Sequence, residues 1–213
     1  MPVSRRGAVS IGLRAGAIVA GSALLPASGA FAQRRQTPSA AIGPFYPVVR
    51  RAEEDGDLSL LNGRRAKGEL IEVAGRVIDI RGRAVPGARI EVWQANAAGR
   101  YAHPADTSSA SLDPDFQGYG WILADRLGRY CIRSVKPGPY ADGDGSPRPP
   151  HLHLQVSGRQ SRLVTQMLFP DEPLNLTDNV ILGPQRGRLI AQDSGRSLDG
   201  ARRFAWDIIL RAS

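Results

Sequence analysis

The 213-residue chain has one cysteine, three histidines and few aromatic residues: five Phe, five Tyr and three Trp. Because Cys131 is alone, no internal disulfide can form even in an oxidising compartment, and stability must come from the core, a metal or oligomerisation. No block of one charge sign stands out either. The formal charge is +8, yet the basic residues are scattered among acids, which argues against nucleic-acid binding while leaving a field that helps an anionic small substrate.

The chain also lacks an apolar run long enough to cross a bilayer. The stretch from Ala15 to Leu25 is shorter than the roughly 20 residues a spanning helix needs, and it carries glycines. With Arg5-Arg6 before it and Ala30-Phe31-Ala32 after it, residues 1–32 have the form of a secretory signal peptide cleaved after Ala32, with no stable membrane anchor afterwards. Ser4-Arg5-Arg6 favours the twin-arginine route, although Gly7-Ala8-Val9 makes the match imperfect, and predicts a periplasmic or secreted protein. Arg5, Arg6 and Arg14 lie in this leader, which has no acid, so the remainder carries +5.

Residues 33–70 are polar and interrupted by Gly, Pro and charge, apart from Gly43-Pro44-Phe45-Tyr46-Pro47. They predict an arm laid across a domain formed by residues 71–213. From Ile71 onward short apolar segments alternate with turn residues: Ile71 to Ile80, Ala88 to Gln94, Gly128 to Val135, His151 to Val156, Leu163 to Phe169 and Phe204 to Leu210. Their length and β-branched content predict an all-β fold, a single β-sandwich. Arg81-Gly82-Arg83 predicts a tight connection between the first two strands. Long loops, Ala95 to Trp121 and Pro137 to Pro150, are candidates to carry function. A weak helical period runs from Gly187 to Asp193.

Arg148-Pro149-Pro150-His151-Leu152-His153 holds two of the three histidines. In an extended strand side chains two apart share a side, so His151 and His153 project together. That serves a metal, although a lone His-x-His on a strand is more often a hydrogen-bonded or surface pair than a ligand pair. Tyr101 and Tyr140 lie in the two long loops. Imidazole with phenolate is unlike the thiolate sets of structural zinc or the two-histidine, one-carboxylate ferrous triad, and hard anionic phenolates favour ferric iron. Spacing alone does not decide between ligands and ordinary loop residues. His103 fits a loop residue better than a fifth ligand.

Several linked segments resemble the intradiol ring-cleavage dioxygenases: Trp93-Gln94-Ala95-Asn96-Ala97-Ala98-Gly99-Arg100-Tyr101, Asp113-Pro114-Asp115-Phe116, Lys136-Pro137-Gly138-Pro139-Tyr140, the His-x-His hexapeptide and Thr165-Gln166-Met167-Leu168-Phe169. The similarity runs in order from about Gly43 to the terminal Arg203 to Arg211 segment, and is greatest to the protocatechuate 3,4-dioxygenase β-subunit branch. It implies that Tyr101, Tyr140, His151 and His153 bind Fe(III), that Tyr140 is the ligand a catechol-type diol displaces, and that Arg148 and Gln166 stand beside the substrate. The implied reaction uses O2 to cleave the ring between the two hydroxylated carbons, giving a muconate-type diacid. Trp93 matches a tryptophan near the pocket and serves equally as core. Phe45 and Tyr46 reach towards the mouth.

After Tyr140 the chain reads Ala141-Asp142-Gly143-Asp144-Gly145, where protocatechuate enzymes carry a bulky aromatic and basic segment, so that substrate does not follow from the resemblance. A homo-oligomer is expected, and an α-type companion chain stays open. The competing class is a non-catalytic transthyretin-like binding module, which the segment Gly75 to Ala88 also resembles. A zinc hydrolase lacks its general-base carboxylate beside the histidine pair.

Overall fold

The computed structural model describes residues 34–50, 54–181 and 183–212. The expected signal peptide lies outside them. No α-helix occurs among the described residues, only two short 3-10 turns, Pro173–Leu176 and Arg186–Arg188.

Thirteen strands follow one another: β1 Leu60–Leu61, β2 Arg64–Arg65, β3 Leu70–Asp79, β4 Arg89–Trp93, β5 Tyr119–Leu123, β6 Arg129–Val135, β7 Tyr140–Ala141, β8 Pro147–Arg148, β9 His151–Ser157, β10 Arg162–Leu168, β11 Gln192–Arg196, β12 Arg202–Ala205 and β13 Ile208–Leu210. One sheet has the order β10-β9-β4-β5. In the other, β3 is flanked by antiparallel β6 on one edge and by parallel β12 and β13 on the other, with β11 beyond β12. Their facing sides bury Ile90, Val92, Leu152, Leu154 and Val156 with Val73, Val77, Ile132, Phe204 and Ile208 in one core, as the period-2 alternation of β4 and β9 requires.

Several expected boundaries shift for local reasons. The segment from Phe204 to Leu210 is two strands, because the chain leaves the ladder at Trp206 and Asp207. The Trp206 carbonyl accepts the Tyr130 hydroxyl at 2.7 Å, and Asp207 Oδ1 accepts the Arg76 amide at 2.9 Å. Arg81-Gly82-Arg83 does form a tight turn, closed by the Arg83 carbonyl accepting from the Asp79 amide. It sends the chain to the other sheet, however, since β3 and β4 do not pair. The loop expected to last until Trp121 ends two residues earlier at edge strand β5, which Gly118 just before it and Gly120 within it obscured. The Pro137 to Pro150 loop contains the β7-β8 ladder. The helical period from Gly187 to Asp193 yields one three-residue turn and then strand, because its buried apolar residues, Leu189 and Ala191, are spaced two apart around an Ile190 bridged to Leu168.

The segment before β1 lies along the sheet edge. The Ala40 amide donates to the Val164 carbonyl at 3.0 Å, the Thr165 hydroxyl to the Pro38 carbonyl at 2.8 Å, and the Thr37 amide to the Ile209 carbonyl at 3.0 Å. The first two bonds cover the outer edge of β10, which would otherwise be an unpaired template, and the third ties the arm to β13 of the other sheet.

Candidate metal centre

Strand β9 places Leu152 and Leu154 in the core, so His151 and His153 face outward from the sandwich. Directly opposite residues of an antiparallel ladder share a face. His153 pairs with Trp93 on β4 and with Gln166 on β10, so these three form one cross-strand row on the outer face of the sheet. Trp93 stacks on the His153 ring, 5.0 Å between centroids at 11°. A Cβ on Gly43 would sit 3.0 Å from His153 Cε1, which puts the arm against the same ring.

The two loops supply the tyrosines and hold each other. Asn96 organises the first: its side-chain oxygen accepts from the Ala98 and Arg100 amides at 2.9 and 3.0 Å, and its amide donates to the Ser111 carbonyl at 2.8 Å. The Asp106 carboxylate accepts the Tyr101 amide at 2.7 Å. The Asn96 carbonyl accepts the Gly138 amide of the second loop at 2.9 Å. Gly99, at φ +81, passes so close that a Cβ there would lie 2.1 Å from the Pro139 carbonyl oxygen. Only glycine fits that crossing. Tyr140 then stands opposite Arg148 in the β7-β8 ladder.

All four expected donors converge. Tyr101 and Tyr140 meet edge to face at 5.4 Å between centroids. The Tyr140 hydroxyl is 3.3 Å from His151 Nε2, which is 3.1 Å from His153 Nε2. His151 Nδ1 lies 2.7 Å from the Pro149 carbonyl. A carbonyl can only accept, so the proton sits on Nδ1 and Nε2 turns its lone pair inward. Burial, reinforced by the Arg148 charge, pushes the His151 pKa down to about 3; burial and then His151 hold His153 well below the usual range. Both imidazoles are therefore neutral. Burial first, and Tyr140 second, push the Tyr101 phenol well above its ordinary range, and burial raises Tyr140 as well.

The buried Tyr101 hydroxyl has no well-formed hydrogen-bond partner among the described residues. A dry pocket of inward lone pairs and orphaned phenol lacks a positive charge, and these donors fit a hard cation. No three His, Cys, Asp or Glu side chains gather into a metal-holding group among the described residues, so a metal at the histidine pair would take the two phenol oxygens to complete its donors.

Arg148 is buried beside this cluster. Its Nη2 donates to Gln166 Oε1 at 2.8 Å, and its Nε to Asp178 Oδ1 at 3.1 Å. Gln166 Nε2 in turn donates to the Ala41 carbonyl of the arm at 3.1 Å. Phe45 stacks on Tyr101 at 4.6 Å, and Tyr46 is tied by its hydroxyl to Glu91 at 2.7 Å. His103 lies outside the cluster, edge-on to Phe45 at 5.9 Å. An open cavity of about 250 Å³ abuts Tyr101, Trp93 and Phe45. Asp178, Asn96, Asp106 and Gly43 escaped sequence reasoning. Only the Asn96 signal was available, as the Asn-x-x-Gly pattern of a side-chain-capped turn.

A family profile described as Dioxygenase matches residues 42–212. The protocatechuate 3,4-dioxygenase beta chain of Burkholderia cepacia is 44% identical over 180 residues, covering 79% of this chain and 76% of that one. The hydroxyquinol 1,2-dioxygenase of Rhizobium sp. (strain MTP-10005) is 36% identical over 156 residues, 67% of this chain and 50% of its own length. The chain thus spans about half of that relative. The solved hydroxyquinol 1,2-dioxygenase of Pseudomonas putida DLL-E4 superposes with a TM-score of 0.69 at 23% identity, over 84% of this chain and 68% of that one, and shows a shared fold.

Proposed function

The chain belongs to the intradiol ring-cleavage dioxygenases, and on that premise we propose that it cleaves a catechol-type diol with O2 between the two hydroxylated carbons, at Fe(III) held by Tyr101, Tyr140, His151 and His153. The observation that carries this reading is the convergence of two neutral imidazole nitrogens and two phenols on one dry point, with the Tyr101 hydroxyl unsatisfied. Ferric iron supplies the Lewis acidity that binds a diol as its dianion and makes the ring reactive towards O2.

The chain's own groups do the rest. The Pro149 carbonyl fixes the His151 tautomer. Tyr140, which would be one of the phenol ligands, is less buried than Tyr101, and its oxygen is placed to accept a diol proton. Gln166 and Asp178 hold Arg148 through Nη2 and Nε, and its Nη1 lies 4.0 Å from Asp142 Oδ2, so the guanidinium is fixed in orientation beside the reacting substrate. Trp93, Phe45 and Gly43 close the walls and exclude water. The resemblance of residues 75–88 to transthyretin-like binding modules does not account for the four converging donors.

The name of the Burkholderia relative supports a chain that works in an oligomer, with an α-type companion or with copies of itself. Residues 1–32 are proposed as the export signal, which Arg5→Lys with Arg6→Lys would block, leaving the precursor in the cytoplasm on cell fractionation. The ligand set is tested by colour. Iron-loaded protein is expected to absorb in the visible through tyrosinate-to-Fe(III) charge transfer, and Tyr140→Phe or His151→Ala to lose iron or ring cleavage. A colourless, fully iron-loaded protein would reject the assignment.

A further inference from the structure

We propose that this site selects diols without a ring carboxylate, because its one buried guanidinium is already neutralised from two sides. The proposal rests on the dioxygenase reading and names the substrate class of that site. Arg148 is buried. Its Nε lies 3.1 Å from Asp178 Oδ1, and its Nη1 is 4.0 Å from Asp142 Oδ2. Two carboxylates thus share one cation. Asp178 is itself 1% exposed, and its Oδ2 has no partner among the described residues. Around Arg148 itself the side chains carry two negative charges against one positive.

Neighbouring cations are committed elsewhere. Arg186, behind Asp178, donates to the carbonyls of Ile181, Leu176 and Asp178 at 2.8, 3.3 and 3.0 Å. Lys136 is paired with Glu172. Asp144, in the loop with Asp142, adds a further acid, kept ionised by the Ser146 amide and hydroxyl. The cavity against Tyr101 gives an independent indication. Its walls include Phe45, Val48, Trp93, Tyr101, Pro104 and Tyr119, and among the described residues His103 is the only lining residue able to carry positive charge. A bare aromatic ring suits such walls. A carboxylate against such walls would lose water without gaining a counter-charge, and one turned towards Arg148 would meet Asp142 and Asp178 already paired with it.

The test uses the iron-loaded full chain, 1,2-dihydroxybenzene and 3,4-dihydroxybenzoate, with dissociation constants measured by calorimetry in the absence of O2. The unsubstituted diol is expected to bind at least about tenfold more tightly, the scale of one unit-charge repulsion across a partly screened site. Asp142→Lys should shrink that ratio by about tenfold and Asp142→Asn by part of it, with raised salt acting in the same direction. The Asp142 side chain is 30% exposed on a loop, and retained iron content and melting temperature show that the variants are folded. Tighter binding of the benzoate by the unaltered protein, or a ratio unmoved in both variants, overturns the proposal. Oxygen uptake is read separately. Failure to cleave either diol with the binding ratio as expected would overturn the dioxygenase reading and leave the charge selection standing.

Discussion

Arg148 and Asp178 form a buried ion pair 30 residues apart in sequence, Nε to Oδ1 at 3.1 Å, with both side chains almost wholly removed from water. The second bond from Arg148 to Gln166 completes a fork that holds the guanidinium plane. The pair is costly to assemble, and far costlier to break from one side.

Asp178→Ala is therefore expected to destabilise the protein by about 3 to 5 kcal/mol, since it strands a buried cation. Chemical denaturation measures it. Exchanging both members, Arg148→Met with Asp178→Leu, should recover most of that stability but not ring cleavage. A double variant no more stable than Asp178→Ala would show that the pair is not what fixes this corner.

Gly99→Ala should damage the tyrosine loops specifically. The new Cβ would meet the Pro139 oxygen at 2.1 Å, in a backbone conformation that already disfavours side chains. Gly87→Ala is the control, because Gly87 has φ +69 but nothing within 4 Å. Both variants carry the positive-φ strain, about 1 kcal/mol. Only Gly99→Ala is expected to lower the iron-to-protein ratio, read by metal analysis.

The turn after β3 should carry an acid-sensitive part of the stability. Burial alone would raise the Asp79 pKa, but the Arg83 amide and guanidinium, with the Arg81 amide, outweigh it and hold it below the ordinary 3.8. Between the folded and unfolded values the unfolded chain binds the extra proton. The contribution is thus present above pH 4 or so and is lost as pH falls through the lower folded value. Urea unfolding from pH 5 downward should show a steeper loss for the unaltered protein than for Asp79→Asn. Parallel curves would remove Asp79 from the account.

The donor residues were legible because their signals are local. Tyr101, Tyr140, His151 and His153 sit in short segments whose residue types already favour a hard cation, and the alternation of β9 puts both histidines on one face. Arg148 and Gln166 were found through the same linked motifs. Asp178 was not, because a single aspartate in a polar loop has no periodicity and its partner is supplied only by folding. Edge strand β5 was missed because Gly118 before it and Gly120 within it resemble turn punctuation. The split of the last strand was hidden because the cause, the Tyr130 hydroxyl on the Trp206 carbonyl, comes from 76 residues away.

By itself the sequence determined the all-β class, most strand positions and the chemical types of the donors, since each follows from residue identity and a two-residue period. The tertiary structure alone decided which strands are neighbours. It set the row Trp93, His153, Gln166, laid the arm against His153, brought the Gly99 and Gly138 loops together and set Asp142 and Asp178 around Arg148. Pairing register and loop crossing depend on contacts between residues far apart in the chain, where close packing and paired charges choose among arrangements that local pattern leaves equal.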